Sequence, residues 1–162
     1  MTFKTFIAMS LDGYIAGKED DLSFLPTEDP NDLENDFGYR SFYESCDCVI
    51  MGRRTYEITK DFPKQSFETL PTYIVSSEEG ENFIDYKNIL NLLHQNIYVL
   101  GGGILISSLI NDKLIDEIEL FIVSTVLGEG IPLFKCIHKD FKVISTKQVL
   151  NNMIHLSLRR KK

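Results

Sequence analysis

Three consecutive glycines, Gly101, Gly102 and Gly103, follow an apolar stretch, Ile-Tyr-Val-Leu, in this 162-residue chain. The stretch predicts a buried strand, and the apolar residues after the glycines predict a helix that starts there. Because glycine has no Cβ, its backbone N–H groups can approach a pyrophosphate closely, and a helix N-terminus adds positive potential. Glycine runs also serve tight packing and turns, so this segment alone leaves both interpretations open.

Two other segments offer groups that bind phosphate. Gly-Arg-Arg-Thr at residues 52–55 follows an apolar run that ends at Met51, and Ser76 and Ser77 end a predicted strand at residues 71–77. Guanidinium groups and hydroxyls near a helix N-terminus suit phosphate, and ligands of open α/β sheets gather at the carboxyl ends of strands. Solvated arginines and a simple capping turn are the alternatives at these two places.

A further segment, Met-Ser-Leu-Asp-Gly-Tyr-Ile-Ala at residues 9–16, directly follows the first predicted strand. Asp12 and Gly13 favour a tight turn. Ile15 and Ala16 then return small apolar groups to the end of the sheet, where a flat ring could lie. A plain β-turn is the alternative interpretation.

Asp36 is the candidate acid of the chain. On a predicted helix at residues 31–45, its carboxyl group could lie over a pocket floored by Phe37 and Tyr39. Burial there would raise its pKa and let it support protonation of a substrate. The alternative is a surface pair of Asp36 with Arg40, because the i,i+4 spacing places both on one helix face.

The elements that must position these residues alternate between strands and helices. Strands are predicted at residues 2–9, 46–51, 71–77, 96–100 and 115–126, and helices at residues 31–45, 52–60, 86–95 and 103–111. Residues 141–150 and 153–160 alternate apolar with polar side chains and are joined by Asn151-Asn152, which predicts an antiparallel hairpin at the sheet edge. The sequence therefore predicts one α/β domain over residues 1–162, with a mostly parallel central sheet and a C-terminal hairpin.

Composition and charge narrow the function classes. A net charge of −7 argues against nucleic acid or an anionic membrane as the main partner, while an anionic small molecule stays open. No apolar stretch approaches the ~20 residues that span a bilayer, and the N-terminus has no signal-peptide layout. Three cysteines without such a signal predict a reduced, cytoplasmic chain, with Cys46 and Cys48 packed in the core. His94, His138 and His155 make no ligand spacing, so no metal site is predicted.

Four motifs together resemble the dihydrofolate-reductase-like superfamily. They are SLDGYIA at residues 10–16, VIMGRRTY at 49–56, VLGGG at 99–103 and LGEGIPLF at 127–134, in the expected order over nearly the whole chain. Within that superfamily, the chain is similar to small single-domain bacterial proteins related to the reductase domain of the riboflavin-pathway deaminase–reductase. The resemblance implies a three-layer dihydrofolate-reductase-like fold and a reductase that binds NADPH across the strand ends.

The same resemblance implies which residues contact the cofactor. The nicotinamide is flanked by Ala8, Ile15 and Ala16. The pyrophosphate is cradled by Gly101, Gly102, Gly103 and Ile104, with help from Thr55. The adenosine 2′-phosphate is surrounded by Arg53, Arg54, Ser76 and Ser77. Gly52 and Leu100 complete this predicted set, whereas Glu78 and Glu79 would repel the 2′-phosphate if they pointed inward.

The implied reaction is hydride transfer to a small heterocyclic substrate, best matched by reduction of 5-amino-6-(5-phosphoribosylamino)uracil in riboflavin biosynthesis. Dihydrofolate or another pteridine is the alternative substrate, and a non-catalytic NADPH-binding module is the alternative of another class. Asp36 lies 16 residues before Gly52, a spacing similar to that of dihydrofolate reductase, so Asp36 is the predicted catalytic residue and Asp36, Phe37 and Tyr39 the substrate pocket.

Two departures weaken the choice of substrate. Residues 67–72 lack the arginine that would grip a folate tail, and residues 56–61 lack the Asp-Asn-Pro stretch usual in pyrimidine reductases. Proteins of this kind are often homodimers, and a homodimer is the expectation here. The apolar residues 131–134 could bury its interface or pack in the core.

Overall fold

An eight-stranded sheet runs through the computed structural model, which describes residues 1–26, 36–64, 68–135 and 139–161. In chain order the strands of the described residues are β1 (Thr2–Ser10), β2 (Tyr14–Ala16), β3 (Cys48–Gly52), β4 (Thr72–Val75), β5 (Phe83–Ile84), β6 (Asn96–Gly101), β7 (Ile115–Val123), β8 (Ile131–Pro132), β9 (Phe141–Leu150) and β10 (Met153–Arg160). The large sheet has the order β5-β4-β3-β6-β1-β7-β10-β9, and β2 pairs with β8 separately. Neighbours from β5 to β7 are parallel, and β10 runs antiparallel to β7 and β9. The predicted α/β class, with a mostly parallel sheet and a C-terminal hairpin, is confirmed.

Three helices of the described residues flank this sheet: α1 (Tyr39–Glu44), α2 (Arg53–Thr59) and α3 (Gly103–Asn111). Ile50 of β3 packs in one apolar cluster with Ile106 of α3, and Val49 packs in another with Tyr43 of α1. Because successive residues of a strand point to opposite faces, α3 covers one face of the sheet and α1 the other. The apolar run in β3 is therefore typical of a strand covered on both sides.

The strongest periodic patterns give the most accurate boundaries. The structure places α3, β9 and β10 at the predicted bounds. Predicted strands 46–51, 71–77 and 115–126 are observed at 48–52, 72–75 and 115–123. The pair of β2 and β8, and the two-residue strand β5, are not predicted, because segments this short show no periodicity.

A 3-10 helix, Tyr86–Asn91, takes the place of the amphipathic α-helix predicted at residues 86–95. The Asp85 side chain caps it by accepting a hydrogen bond from the Lys87 N–H at 3.0 Å. The chain becomes extended at Leu92, with φ −62° and ψ 133°. Leu93 is 98% exposed, so the predicted apolar stripe does not continue as a helix face.

Helix α1 begins at Tyr39, later than the predicted start at residue 31. Phe37 and Gly38 have φ of 54° and 88°, so the chain turns through the left-handed region just before the helix. Residues 31–35 of the predicted helix lie outside the described residues.

Cys46 and Cys48 are buried free thiols, as the core interpretation predicts. Burial raises the pKa of both thiols, that of Cys48 to about 12. Cys136 and His138 lie outside the described residues. Within the described part of the chain, no helix is long and apolar enough to cross a membrane.

The apolar stretch at residues 131–134 is largely used inside the chain. Ile131 and Pro132 form β8, and Leu133 is fully buried. Phe134 is 40% exposed. Packing within one chain therefore explains most of a segment that could also have formed a dimer interface.

The parallel strands of the large sheet end on two opposite sides, which we call the carboxyl-end edge and the amino-end edge, and the two differ in the residues that lie there. The carboxyl ends of the parallel strands lie at one edge, where the turns after β1, β3, β4 and β6 gather. At this edge Met153 of β10 pairs with Val123 of β7. At the opposite edge Arg159 of β10 pairs with Glu117, close to the point where Phe3 of β1 pairs with Ile115.

Candidate functional site

A cleft of about 950 Å³ opens at the carboxyl ends of the parallel strands. It brings together twelve of the fourteen predicted cofactor residues: Ala8, Ile15, Ala16, Gly52, Arg53, Arg54, Thr55, Leu100, Gly101, Gly102, Gly103 and Ile104. Ser76 and Ser77 are not part of the lining, but they follow Val75, which is. Segments far apart in the sequence thus meet at one edge of the sheet, where open α/β sheets hold ligands.

The three glycines of the β6–α3 turn have different structural reasons to be glycine. Gly101 has a φ of 145°, which side chains rarely allow. A Cβ on Gly102 would come within 3.0 Å of the Thr55 hydroxyl. A Cβ on Gly103 would collide with the carbonyl oxygen of Pro132 and lie 3.0 Å from that of Leu133. Gly101 and Gly102 therefore leave bare backbone beside Thr55, while Gly103 allows close packing of the β8 segment.

Helix α2 brings two arginines to the cleft, and acidic side chains accompany both. Arg53 pairs with Glu57 one turn along the helix, with 2.8 Å between Nε and Oε1, and also with Glu78. Arg54 pairs with Asp20 across the cleft, with 2.9 Å between Nη2 and Oδ1. The carboxylates therefore neutralise much of the positive charge that the sequence predicts at the start of α2.

The serine pair lies beside the start of α2. Val75 pairs with Gly52 in the sheet, so Ser76 continues from a position next to the Gly-Arg-Arg-Thr turn. The Ser76 hydroxyl accepts a hydrogen bond from the Glu78 N–H at 3.1 Å. That small turn directs the chain toward Arg53, where the Glu78 carboxylate is found.

The apolar part of the cleft is held by contacts between two turns. Strand β2 pairs with β8, and the Leu133 N–H donates to the Gly13 carbonyl at 2.9 Å. Gly130 has a φ of 149° and lies so close to the Ala16 carbonyl that a Cβ would collide with it. These contacts fix the position of Ile15 and Ala16 at the end of β1.

Asp12 ties the same two turns together and is a residue that the sequence argument used only as a turn former. Its carboxylate accepts from the Ser10 hydroxyl at 2.6 Å, from the Leu127 N–H at 3.1 Å and from the Gly128 N–H at 2.7 Å. These hydrogen bonds, that from Ser10 first, lower the pKa of Asp12 to about 2. A charged carboxylate is therefore built into the support of the apolar wall.

None of the three predicted substrate-pocket residues lines the cleft. The Asp36 carboxylate accepts from the Gly38 and Arg40 N–H groups, both at 2.8 Å, and so caps the start of α1. The Arg40 guanidinium pairs with Glu44 at 2.9 Å, and Glu44 first and Asp36 more weakly raise the pKa of Arg40. Of the alternative prediction, an Asp36–Arg40 pair on the surface, the structure thus shows a backbone hydrogen bond and a weaker charge interaction. The expected placement of Asp36 over a pocket is not what the structure shows, and its chemical role stays a prediction.

Phe37 and Tyr39 lie behind the cleft wall. The Phe37 ring is 6.2 Å from that of Phe121, and the Tyr39 ring is 5.4 Å from that of Phe6, which does line the cleft. The Tyr39 hydroxyl donates to Glu68 at 2.6 Å, and burial raises the pKa of Tyr39 well above its usual range. These rings support the apolar wall from the rear.

Several lining residues that the sequence does not predict come from the polar loop after β2, from α3 and from the segment after β8. Asp20, Leu22 and Leu25 come from the segment after β2, and Ser108 and Lys135 come from α3 and the segment after β8. No motif marks them, because each contributes a single side chain from outside the four motifs. Among the described residues no group of three His, Cys, Asp or Glu side chains could hold a metal ion.

A family model described as the RibD C-terminal domain matches residues 57–154, more than half of the chain. The chain belongs to this family. It is 31% identical to the uncharacterized protein YwjB of Bacillus subtilis over 151 residues, which cover 85% of each protein. The predicted family resemblance is confirmed.

Solved structures confirm the fold. A Shewanella sp. PV-4 protein whose name links it to riboflavin biosynthesis matches over the full length of both chains, with 28% identity and a TM-score of 0.88. The dihydrofolate reductase of Enterococcus faecalis, solved with NADP(H), matches 99% of this chain and 97% of its own, with 16% identity and a TM-score of 0.71.

A longer Thermotoga maritima protein, named as a diaminohydroxyphosphoribosylaminopyrimidine deaminase/5-amino-6-(5-phosphoribosylamino)uracil reductase, also shares the fold. It matches 99% of this chain and 56% of its own, with 16% identity and a TM-score of 0.72. The three-layer dihydrofolate-reductase-like architecture is therefore shown.

Proposed function

We propose that this chain is an NADPH-dependent reductase that transfers hydride to a small heterocyclic substrate. The observation that carries the proposal is the convergence of twelve predicted cofactor residues, from four separate segments of the chain, on one cleft of about 950 Å³. A cleft of this volume is large enough for an extended ligand. Its apolar side chains near β1 and its arginines near α2 match the two chemically different ends of a nicotinamide dinucleotide.

The residues present fit such a cofactor. The bare backbone of Gly101 and Gly102 beside the Thr55 hydroxyl is a cradle that a Cβ would fill, and it suits a pyrophosphate. In this proposal Ala8, Ile15 and Ala16 orient the nicotinamide ring, which supplies the hydride when bound. The arginines of α2 and the serine pair take the adenosine 2′-phosphate.

The substrate side of the proposal rests mainly on family membership. Reduction of 5-amino-6-(5-phosphoribosylamino)uracil, in which the ribosyl group is opened and reduced to the ribityl form, is the first reaction to test, because it is named for the Thermotoga relative. Dihydrofolate is the second, supported by the likeness to the Enterococcus reductase. Phe6, Ala8 and Leu25 offer the substrate ring an apolar wall. Asp36 stays the proposed proton source, although its carboxylate accepts two backbone N–H groups and does not line the cleft. A cytoplasmic homodimer is the assembly that goes with this proposal.

Thr55→Val tests the cofactor part. The variant keeps the side-chain shape but removes the hydroxyl beside Gly102, so the dissociation constant for NADPH should rise by about tenfold, the value of a hydrogen bond to a charged group. Thr146→Val, on the exposed edge strand β9, is the matched control and should leave NADPH binding unchanged. Calorimetry on the purified proteins measures both; absence of NADPH binding to the unaltered chain would contradict the proposal.

Turnover separates an enzyme from a non-catalytic NADPH-binding module. We expect the absorbance of NADPH to fall when the protein is mixed with NADPH and the right member of a set of phosphoribosylaminopyrimidines and pteridines. Tight NADPH binding without oxidation by any member of the set would favour the binding module.

A further inference from the structure

Arg53 contacts the turn that follows the serine pair, because its guanidinium pairs with Glu78 as well as with Glu57. Glu57 belongs to the same helix and is an ordinary i,i+4 partner. Glu78 comes from a different segment, the turn after β4, and reaches Arg53 from the side of Ser76 and Ser77. A group arriving from that side meets Glu78 together with Arg53.

The charge around this point is not positive overall. The two arginines of α2 pair with three carboxylates, those of Asp20, Glu57 and Glu78. A 2′-phosphate carries up to two negative charges and would have to displace or sit beside a carboxylate. A 2′-hydroxyl, by contrast, can donate a hydrogen bond to a carboxylate, which is how acidic residues select NADH in other dinucleotide sites.

We infer that Glu78 sets the preference of the cleft between NADPH and NADH. Glu78 occupies the guanidinium of Arg53 and lowers the advantage that this arginine gives to the phosphorylated dinucleotide. The inference rests on the proposed function, because it assumes that the adenosine end of a dinucleotide lies beside Arg53 and the serine pair.

The Arg53–Glu78 ion pair is exposed, so breaking it costs the folded chain little free energy. The Arg53 side chain is 43% exposed to solvent and the Glu78 side chain 60%. Ion pairs this exposed contribute little to stability. Removing the Glu78 charge should therefore alter ligand preference while leaving the fold intact. Glu79, the next residue, is also exposed, but no ion pair joins it to Arg53 among the described residues.

The test compares Glu78→Gln with Glu79→Gln in the full-length chain. The two variants each remove one negative charge, at adjacent positions of the chain. Only Glu78→Gln removes a partner of Arg53. We expect Glu78→Gln to bind NADPH about tenfold more tightly, the value of a hydrogen bond between charged groups that the freed Arg53 guanidinium can make with the 2′-phosphate. Binding of NADH should stay within about twofold of that of the unaltered protein. Glu79→Gln should change neither dissociation constant by more than about twofold, as a solvated charge is largely screened.

Two further measurements locate the effect. The adenosine fragments 2′,5′-ADP and 5′-AMP should reproduce the contrast without the nicotinamide. In an Arg53→Gln background, Glu78→Gln should lose most of its effect on NADPH, because the guanidinium that it releases is absent. Thermal unfolding of every variant checks that the fold is retained.

The outcomes separate this inference from the proposal on which it rests. An unchanged ratio of the NADPH and NADH dissociation constants in Glu78→Gln, or an equal change in Glu79→Gln, would overturn the role of Glu78 and leave the reductase proposal standing. Failure of the unaltered chain to bind either dinucleotide would overturn both.

Discussion

The glycine turn at residues 101–103 and the segment at residues 36–44 were both candidates for chemistry, and the structure treats them differently. The glycine turn lines the cleft and packs against β8. In the second segment, Asp36 caps α1, and Phe37 and Tyr39 support the wall from behind. The difference is one of how each segment would contact a ligand: the first presents backbone, whereas the second depends on where side chains point.

Backbone sites are encoded more directly in sequence than side-chain sites. Gly101 has a φ of 145°, and Gly103 lies against a neighbouring carbonyl, so both positions require glycine. That requirement is visible directly in the sequence. An acid such as Asp36 looks the same whether it caps a helix or faces a substrate.

Gly103→Ala should have the largest effect. Its Cβ would collide with the Pro132 carbonyl, which belongs to backbone that cannot move independently of β2 and β8. We expect a loss of about 3 kcal/mol in the free energy of unfolding, typical of severe overpacking. Gly52→Ala is the control, because a Cβ there would find its nearest atoms at 3.8 Å and should change stability little. Urea unfolding measures both, and equal stabilities would show that the turn is not packed as described.

Asp36→Ala should have an intermediate effect. Loss of a helix cap costs about 1 kcal/mol, while Asp36→Asn should retain most of the stability because asparagine also caps helices. Urea unfolding of both variants tests the capping role. If Asp36→Asn keeps its stability but loses turnover by about a hundredfold, the range of general acid–base catalysis, Asp36 also acts chemically and the contrast between the two segments becomes smaller.

Asp12→Asn should have the smallest effect, and one that depends on pH. The folded chain lowers the pKa of Asp12 from 3.8 to about 2, so ionised Asp12 stabilises the fold above pH 3.8 and that contribution disappears as the pH falls toward 2. The melting temperature of Asp12→Asn should therefore fall less steeply than that of the unaltered chain between these pH values. Asp61→Asn, which removes the charge of an exposed acid that does not line the cleft, is the matched control. If the melting temperature depends on pH in the same way for all three proteins, ionised Asp12 does not stabilise the fold and the proposed support of the cleft is wrong.

The parts of the fold that sequence predicts are those with a strong local pattern. Helix α3 and the hairpin of β9 and β10 have long apolar periods and a clear turn. Residues 86–91 carry a similar helical pattern, but they form a 3-10 helix that Asp85 caps and that ends where Leu92 is extended. The turn at Phe37 and Gly38, with positive φ at both residues, leaves no periodic signal before α1.

The candidate site shows the same division. Spacing predicts which backbone segments reach the cleft, because parallel strands bring their carboxyl ends to one edge. It does not predict that Glu78 reaches Arg53, or that Asp20 reaches Arg54, because each pair joins residues from separate segments. Such pairs depend on loop geometry that only the folded chain defines.

The antiparallel pairing of β10 with β7 carries the last strand away from the cleft. Arg159 and Phe3 both lie at the sheet edge opposite the cleft, since Arg159 pairs with Glu117 and Phe3 with Ile115. A peptide tag or a surface anchor attached before Thr2 or after Lys161 would therefore emerge on the side away from the ligand. Immobilised protein would present its cleft to the solution, so a chip-based assay can compare the glutamate variants without shielding the site.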